Sequence, residues 1–494
     1  MKQVIIVGAG IAGLVAGVYA RQSGFDVTIY ESHSIPGGAS TSWRRGGYFF
    51  EGGLHWLTGS SPKTAINKLW REVGALDDGV AIHNADPFMA MTYQGKEAFL
   101  YRDLERLRSH LLELSPEDEQ EIHQFCKDLK RFCKMEMPLT DIKGVRVREK
   151  AKLPLSQLVG TLPALGRIGF YAGKSVGEYA DRYKSPLLRR FFENLLSREY
   201  SSTGMIFTTA TLVSGDGGYP EGGSLAMANR IARRFEALGG KICYNHAVEQ
   251  VWVQDGVARG VLVDGGLVEA DAVIVTQDTL AAIDTLFEQP IREPWAEKMR
   301  RDTIPLLNTF IGLGVEADLS HLPERVTFYP EEPFICGGVA QESVGFCNYA
   351  AYKGYAPQGC TALTSPIITD NYDFWKACKE NGTYEAEKQK LAQAFIAALE
   401  KEYPEISGKV KVWDVATPLT YERYLSSYKG SWMTVMPKGA PPARYPSKPD
   451  SIEGLYFAGQ RLQAPGGLPV AADTGRRAVQ YLCKDTGTVF QGSM

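Results

Sequence analysis

The chain lacks every spacing that would mark a metal or thiol centre. Its eight cysteines (Cys126, Cys133, Cys243, Cys336, Cys347, Cys360, Cys378 and Cys483) are scattered, and no CxxC pair occurs. This excludes a zinc knuckle and a thioredoxin-type motif. Free thiols in a reducing cytosol are the simplest reading. There is no HExxH, no legible Ser-His-Asp order and no paired-carboxylate motif. Strong charge is also missing: 54 basic against 57 acidic residues give a formal net charge of −3, so no nucleic-acid partner is indicated. No internal repeat stands out. Only one stretch, Val4 to Ala20, approaches the ~18 apolar residues of a membrane span. It is uncharged and follows Lys2, like the apolar part of a signal peptide. Its glycine spacing argues instead for a strand, a turn and a helix, so a cytoplasmic protein that does not span a membrane is expected. At roughly 100–200 residues per domain, 494 residues predict two or three domains.

What is present begins with "KQVIIVGAGIAGLVAGVYARQSGFDVTIYES". Val4 to Val7 read as a buried parallel strand. Gly8, Gly10 and Gly13 form GxGxxG, with Ala9 and Ala12 between them. The first glycine permits the tight turn, the second lets backbone approach a pyrophosphate, and the third lets the helix pack on the strand. The helix N-terminus offers unpaired N–H groups to phosphate. Glu31 closes the second strand, where an acid accepts from ribose hydroxyls and disfavours a 2′-phosphate, and Ser32 follows it. Dinucleotide binding is therefore expected.

The glycines that follow separate FAD from NAD. "SIPGGASTSWRRGGYFFEGGLHWLTG" carries two further pairs, Gly37-Gly38 and Gly52-Gly53. A simple NAD domain needs no such excursion, whereas a long flavin needs backbone close along its length. A middle segment starts at Gly222-Gly223 and reads as a helix followed by short strands. The C-terminal "GLYFAGQRLQAPGGLPVAADTGRRAVQYL" reads as a strand, a glycine turn and a last helix, with Gly459, Gly467, Leu468 and Pro469 at the turn. That helix N-terminus would face the flavin O2 and N1 region, where negative charge develops on reduction.

The pattern predicts an α/β fold: a discontinuous, Rossmann-like FAD-binding domain of glutathione-reductase type with an inserted α+β substrate or cap domain. The FAD-binding domain is expected over 1–85, 215–285 and 440–494. The substrate domain is expected over 86–214 and 286–439. No second GxGxxG follows a strand and opens a helix, since "GLGVEA" lacks the third glycine. A dedicated NAD(P)H domain is therefore not expected; electrons, if exchanged, go to oxygen, a quinone or a nicotinamide that binds transiently.

Taken together, "GAGIAGL…YES…PGG", "YPEGGS…LGG…AVEQV" and "GLYFAG…PGGLP" resemble the FAD-dependent phytoene desaturase, carotenoid isomerase and retinol saturase family, within the flavin amine oxidase superfamily. "SVGEYADRYKSPLLRRFF" is similar to the family's cap-domain helix, and "TPLTYERYLSSYKGSWM" to its stretch before the last FAD segment. The resemblance covers nearly the whole chain. It implies that Val248 meets the adenine through backbone and that the backbone from Gly53 through Leu54, His55 and Trp56 runs beside the flavin. It also implies chemistry at C–C or C=C bonds of an apolar polyene, isoprenoid or lipid: desaturation, saturation or cis–trans isomerisation. Two positions depart from relatives. Ala39, next to Gly38, stands where Arg or Lys is common, and Gln460 stands where amine oxidases often have Glu. Both argue against a simple flavin amine oxidase, which stays as one alternative; a non-catalytic, FAD-containing lipid-binding protein is the other.

Three features each carry two readings. His55 has no second metal ligand at workable spacing, so no metal site is expected. An acid–base role near the flavin and a packed residue bonded to backbone or FAD both remain open. Tyr421, Tyr424, Tyr428 and Trp432 recur at a 3–4 spacing and read either as core or as a substrate wall. Leu155, Leu158, Leu162 and Leu165 also recur helically, with Pro163 expected to kink or interrupt the helix. Just before them, "KGVRVREKAK" holds five basic residues and one acid. The segment 143–173 reads as a cap helix facing the substrate cavity with a solvated basic flank, or as a peripheral membrane contact.

Overall fold

The structure is a computed structural model that describes residues 1–149, 155–440 and 443–492, leaving aside the side chains of 155–160. Its first sheet is parallel. Strands Lys241–Tyr244, Asp26–Glu31, Gln3–Val7, Ala272–Val275 and Leu455–Phe457 lie side by side in that order. Parallel strands are covered on both faces, so both sets of alternating side chains are apolar. Val4 and Ile6 pack under helices Ile11–Gln22, Gly223–Ala237 and Leu468–Thr486. Ile5 and Val7 pack on the other face, against the antiparallel ribbon Val248–Gln254, Val257–Val263 and Gly266–Glu269. The last strand of that ribbon was not legible in the sequence. Two glycines make the helical layer dense. A Cβ at Gly475 would lie 2.5 Å from Ala12 O, and one at Gly17 would lie 3.0 Å from Phe235 and Ile29. This is the predicted α/β, glutathione-reductase-type arrangement, with its strands drawn from three distant parts of the chain.

The second sheet has seven strands: Val410–Ala416, Asn308–Val315, Thr361–Ile368, Val344–Asn348, Arg325–Phe328, Met89–Tyr93 and Lys96–Leu100, in that order. All pairs are antiparallel except Arg325–Phe328 with Met89–Tyr93. Helix Tyr384–Glu402 covers one face through Leu391, Phe395 and Leu399. A group of helices between Leu104 and Val213 buries Phe125, Phe132, Tyr171, Tyr179, Tyr183 and Phe192 together. Among them Asp128 is fully buried, yet it accepts from Arg131, Arg167 and the Tyr171 hydroxyl, so its charge is matched.

Helix Leu155–Ala172 corrects one expectation. It runs continuously through Pro163. Ala164 and Tyr171 are buried, but Leu162 is 59% and Leu165 50% exposed. This leucine pair therefore faces outward rather than into a cavity. The side chains of Leu155 and Leu158 lie outside the described residues, as does the end of the basic run at 150–152. Among the described residues, no helix is long and apolar enough to cross a membrane.

Candidate functional site

The site starts at the turn after the first strand. Gly8 has φ +98°, a conformation that favours glycine. A Cβ on Gly13 would sit 2.0 Å from Gly8 O and 2.9 Å from Thr276 Oγ1, so only glycine lets the helix seat on the strand. Gly10 differs: a Cβ there would meet nothing within 4 Å. Its backbone faces open space at the start of helix Ile11–Gln22, whose first turn carries no acid and no side-chain cap. A helix start left open in this way is an anion cradle.

The other predicted residues gather around that turn. Glu31 is buried and accepts from Ala9 N–H at 2.7 Å and His33 N–H at 2.8 Å, with the Ser32 hydroxyl 3.3 Å away. His246 N–H donates to Glu31 O at 2.9 Å, which brings the ribbon carrying Val248 to the end of the second strand. Gly37 N–H donates to Ala9 O at 2.9 Å, and a Cβ on Gly38 would lie 3.3 Å from Gly10 Cα. Gly459 N–H donates to Thr474 Oγ1 at 2.9 Å and so joins the last strand to the last helix. Gly467 caps that helix ahead of Leu468 and Pro469, again with no acid in the first turn. The Gly467 N–H is already engaged by Gln460 Oε1 at 2.9 Å, and Gln460 Nε2 donates to Trp432 O. Gln460 thus ties the final turn to Trp432.

The second glycine pair also lets neighbouring protein come close. A Cβ on Gly52 would lie 2.3 Å from the Trp43 ring, and one on Gly53 would lie 2.6 Å from Ala39 O and 2.9 Å from Ser224 Oγ. These glycines admit neighbouring protein. What holds the segment is Glu51, which sequence reasoning missed. It is 1% exposed. Its Oε1 accepts from Gly53 N–H at 2.9 Å and Leu54 N–H at 3.0 Å. Its Oε2 accepts from the Tyr219 hydroxyl at 2.8 Å, Ser224 N–H at 2.9 Å and the Ser42 hydroxyl at 3.2 Å. Tyr219 also meets the Tyr355 hydroxyl at 2.7 Å, which extends the network into the loop before strand Thr361–Ile368. Burial and the Glu51 charge both push the Tyr219 hydroxyl well above its ordinary range, so it stays a donor. A lone acid between "YFF" and "GG" was the available signal.

His55 sits beyond this clamp, between Leu54 and Trp56. Its carbonyl accepts from Arg325 Nη2 at 2.7 Å, and its Nδ1 lies 4.0 Å from Cys347 Sγ. The ring borders a small polar cavity of about 20 Å³, room for one water. Burial first, then the Arg325 charge, lowers the imidazole from 6.5 to about 3. A lowered imidazole favours the packed reading over the acid–base one.

The aromatic stripe does not hold as one wall. The helix ends at Leu425, with Ser426 left-handed after it. Tyr424 is 46% exposed and packs edge-on against His33 at 5.1 Å, while Tyr428 is 41% exposed. Both lie on the surface. Tyr421 accepts from Asn308, and Trp432 turns inward with its Nε1 buried and without a hydrogen-bond partner among the described residues. The Ser40 and Ser224 hydroxyls, beside the crossing of Ala39 with Gly53, are likewise buried and unpartnered. Open backbone at Gly10, helix starts without a side-chain cap at Gly10 and Gly467, and these orphan groups fit a long, polar, anionic cofactor. Among the described residues, no group of three or more His, Cys, Asp or Glu could hold a metal.

The parallel sheet, the glycine cradle and the inserted second sheet define an FAD-dependent oxidoreductase. Residues 11–483 match the flavin containing amine oxidoreductase family, and the chain belongs to it. It is 25% identical to a chloroplastic prolycopene isomerase of Daucus carota, over 98% of this chain and 80% of that protein. It is 23% identical to a lycopene-forming phytoene desaturase of Pseudescherichia vulneris, over 98% and 100%. Among solved structures, an oxidoreductase from Methanosarcina mazei superposes with TM-score 0.62 at 17% identity, covering 97% of this chain and all of that one. Putrescine oxidase bound to putrescine gives 0.61 at 16%, covering 98% of both chains, a likeness of fold.

Proposed function

We propose that this FAD enzyme acts on C–C or C=C bonds of an apolar polyene or isoprenoid lipid, by desaturation, its reverse or cis–trans isomerisation. One observation carries the reading: 98% of the chain aligns with proteins named as a prolycopene isomerase and a phytoene desaturase. The site's charge agrees with it. Arg102 and Arg325 flank Phe88 beside the 53–56 segment, at 5.7 and 4.9 Å from its ring, and the carboxylate that lines the same cavity, Glu324, is engaged by His83 and Tyr352. A cationic amine would be repelled, whereas an uncharged polyene is not.

In this reading FAD, when bound, supplies hydride exchange at its N5, and the protein supplies placement. Gly8, Ala9, Gly10, Ala12 and Gly13 take the pyrophosphate. Glu31 and Ser32 take the adenosine ribose, and Val248 the adenine. Gly38, Ala39 and Gly459 line the middle. Gly53 to Trp56 would run beside the isoalloxazine, and Gly467, Leu468 and Pro469 would face its O2 and N1 region. The FAD domain comprises 1–85, 215–285 and 440–494, the rest forming the substrate domain. His55 acts as a neutral, packed residue there.

The outward Leu162 and Leu165 favour a peripheral membrane contact through 143–173, a segment that also holds Lys143, Arg146 and Arg148. Liposome sedimentation tests this: Leu162→Ser with Leu165→Ser releases the protein from anionic vesicles, and unchanged pelleting contradicts it. Mass spectrometry of lipid co-purified with the yellow holoprotein tests the substrate class. A conjugated polyene or isoprenoid is expected; a bound amine would contradict it.

A further inference from the structure

Glu51 pins one half of the cofactor-facing segment from inside the FAD domain. The other half is held from the opposite side, by a residue 270 positions away in sequence. Arg325 opens the strand Arg325–Phe328 of the second sheet, with Cys347 as its cross-strand partner. Its Nη2 donates to His55 O at 2.7 Å. Its guanidinium lies 5.7 Å from the Trp56 ring centroid and 4.9 Å from that of Phe88, and those two rings meet edge to face at 6.1 Å. A planar guanidinium is suited to this combination, since it donates in its plane and stacks through its faces.

Arg325 is not spent elsewhere. Among the described residues it makes no ion pair. Its neighbour Glu324 turns to His83 and to the Tyr352 hydroxyl, the latter at 2.8 Å. Arg102, the other cation on this cavity, is committed to backbone carbonyls of Ala85, Leu212 and Gly217. Arg325 is thus the cation that reaches from the substrate domain onto the His55–Trp56 backbone.

We propose that Arg325 is a positioning residue, through which the substrate domain fixes the His55 backbone and the Trp56 ring where they meet the flavin. Substrate-domain packing is thereby coupled to cofactor placement. The proposal rests on the siting of residues 53–56 beside the isoalloxazine. A second consequence does not need flavin. The charged and titratable groups that line the same cavity as His55 are Arg325, Arg102, His83, Glu324, Cys347, Tyr219, Tyr349 and Tyr352. Arg325 is the charge that acts most on it, so its removal raises the pH at which His55 protonates.

The test compares Arg325→Met, Arg325→Lys and Trp56→Phe in the full-length, FAD-loaded protein. The readouts are the visible flavin band and a nitrogen-15 NMR titration of His55, assigned with His55→Asn. Arg325→Met should shift the flavin band and move His55 titration upward from about 3. Arg325→Lys keeps the charge but loses the fork, so it should shift the band while leaving the titration low. If Arg325→Met leaves both signals as in the wild type while Trp56→Phe shifts the band, the positioning role is overturned and the siting of 53–56 stands. If Trp56→Phe leaves the band unmoved, that siting fails, whatever Arg325 does. Should Arg325→Met not fold, Arg325→Lys decides: an unshifted band overturns the proposal.

Discussion

Replacing Glu51 by Gln tests how the segment proposed to face the cofactor is held. The carboxylate accepts two backbone N–H groups on Oε1 and one backbone N–H plus two hydroxyls on Oε2. An amide keeps one acceptor oxygen. If that oxygen stays with Gly53 and Leu54, the amide nitrogen faces Ser224 N–H, donor against donor. The Tyr219 and Ser42 hydroxyls can rotate to accept; a backbone N–H cannot. The opposite orientation strands two backbone N–H groups and is worse. The better one leaves one buried donor unpaired, at about 1–3 kcal/mol. The surviving bonds lose their charge assistance and about half their strength, which adds about 1 kcal/mol. The sum is about 2–4 kcal/mol. Where FAD must restore that order on binding, each 1.4 kcal/mol is about tenfold in affinity, so roughly 30- to 700-fold is expected. Fluorimetric titration of apoprotein with FAD measures it, with circular dichroism to confirm the fold. An affinity within about twofold of the wild type would refute the reasoning.

The remaining predictions concern the glycine cradle and His55. Gly10→Ala leaves thermal stability nearly unchanged yet blocks FAD uptake, because its Cβ meets no protein atom, whereas Gly13→Ala destabilises the apoprotein through its 2.0 Å approach to Gly8 O; paired melting and flavin-content measurements separate the two. His55 titrates at about 3 when folded and near 6.5 when unfolded, so the unfolded chain binds the extra proton first and stability falls as pH drops from about 6.5 toward 3. His55→Asn should flatten that part of the curve, read from urea midpoints at successive pH values. Identical slopes would contradict the burial argument.

Much of the cofactor domain was legible because local chemistry dictates it. Gly8, Gly10 and Gly13 have three different physical reasons, and each can be read from spacing and the strand–turn–helix context. Glu31 follows from the end of the second strand. Less local features were hidden. Gly52 and Gly53 are glycines for the sake of Trp43, Ala39 and Ser224, and no sequence window joins those residues. Arg325 lies 270 positions from the carbonyl it holds. The Tyr421–Trp432 stripe kept helical spacing but not a helix, because Ser426 turns left-handed and sends Tyr428 to the surface. Leu162 and Leu165 showed the correct helical period. Periodicity gives a shared face, and it cannot tell whether that face points to a cavity or to solvent.

Chemistry on a polyene double bond is the central claim. Its most direct test is an anaerobic incubation of the FAD-loaded protein, oxidised in one arm and photoreduced in the other, with a linear conjugated or partly saturated C40 polyene in liposomes. Products are resolved by chromatography with absorbance spectra, and the flavin band is followed in parallel. A product with a changed number or geometry of C=C bonds is predicted in at least one arm, and none without FAD. An unaltered polyene in both arms, together with peroxide release from primary amines in air, would contradict the claim.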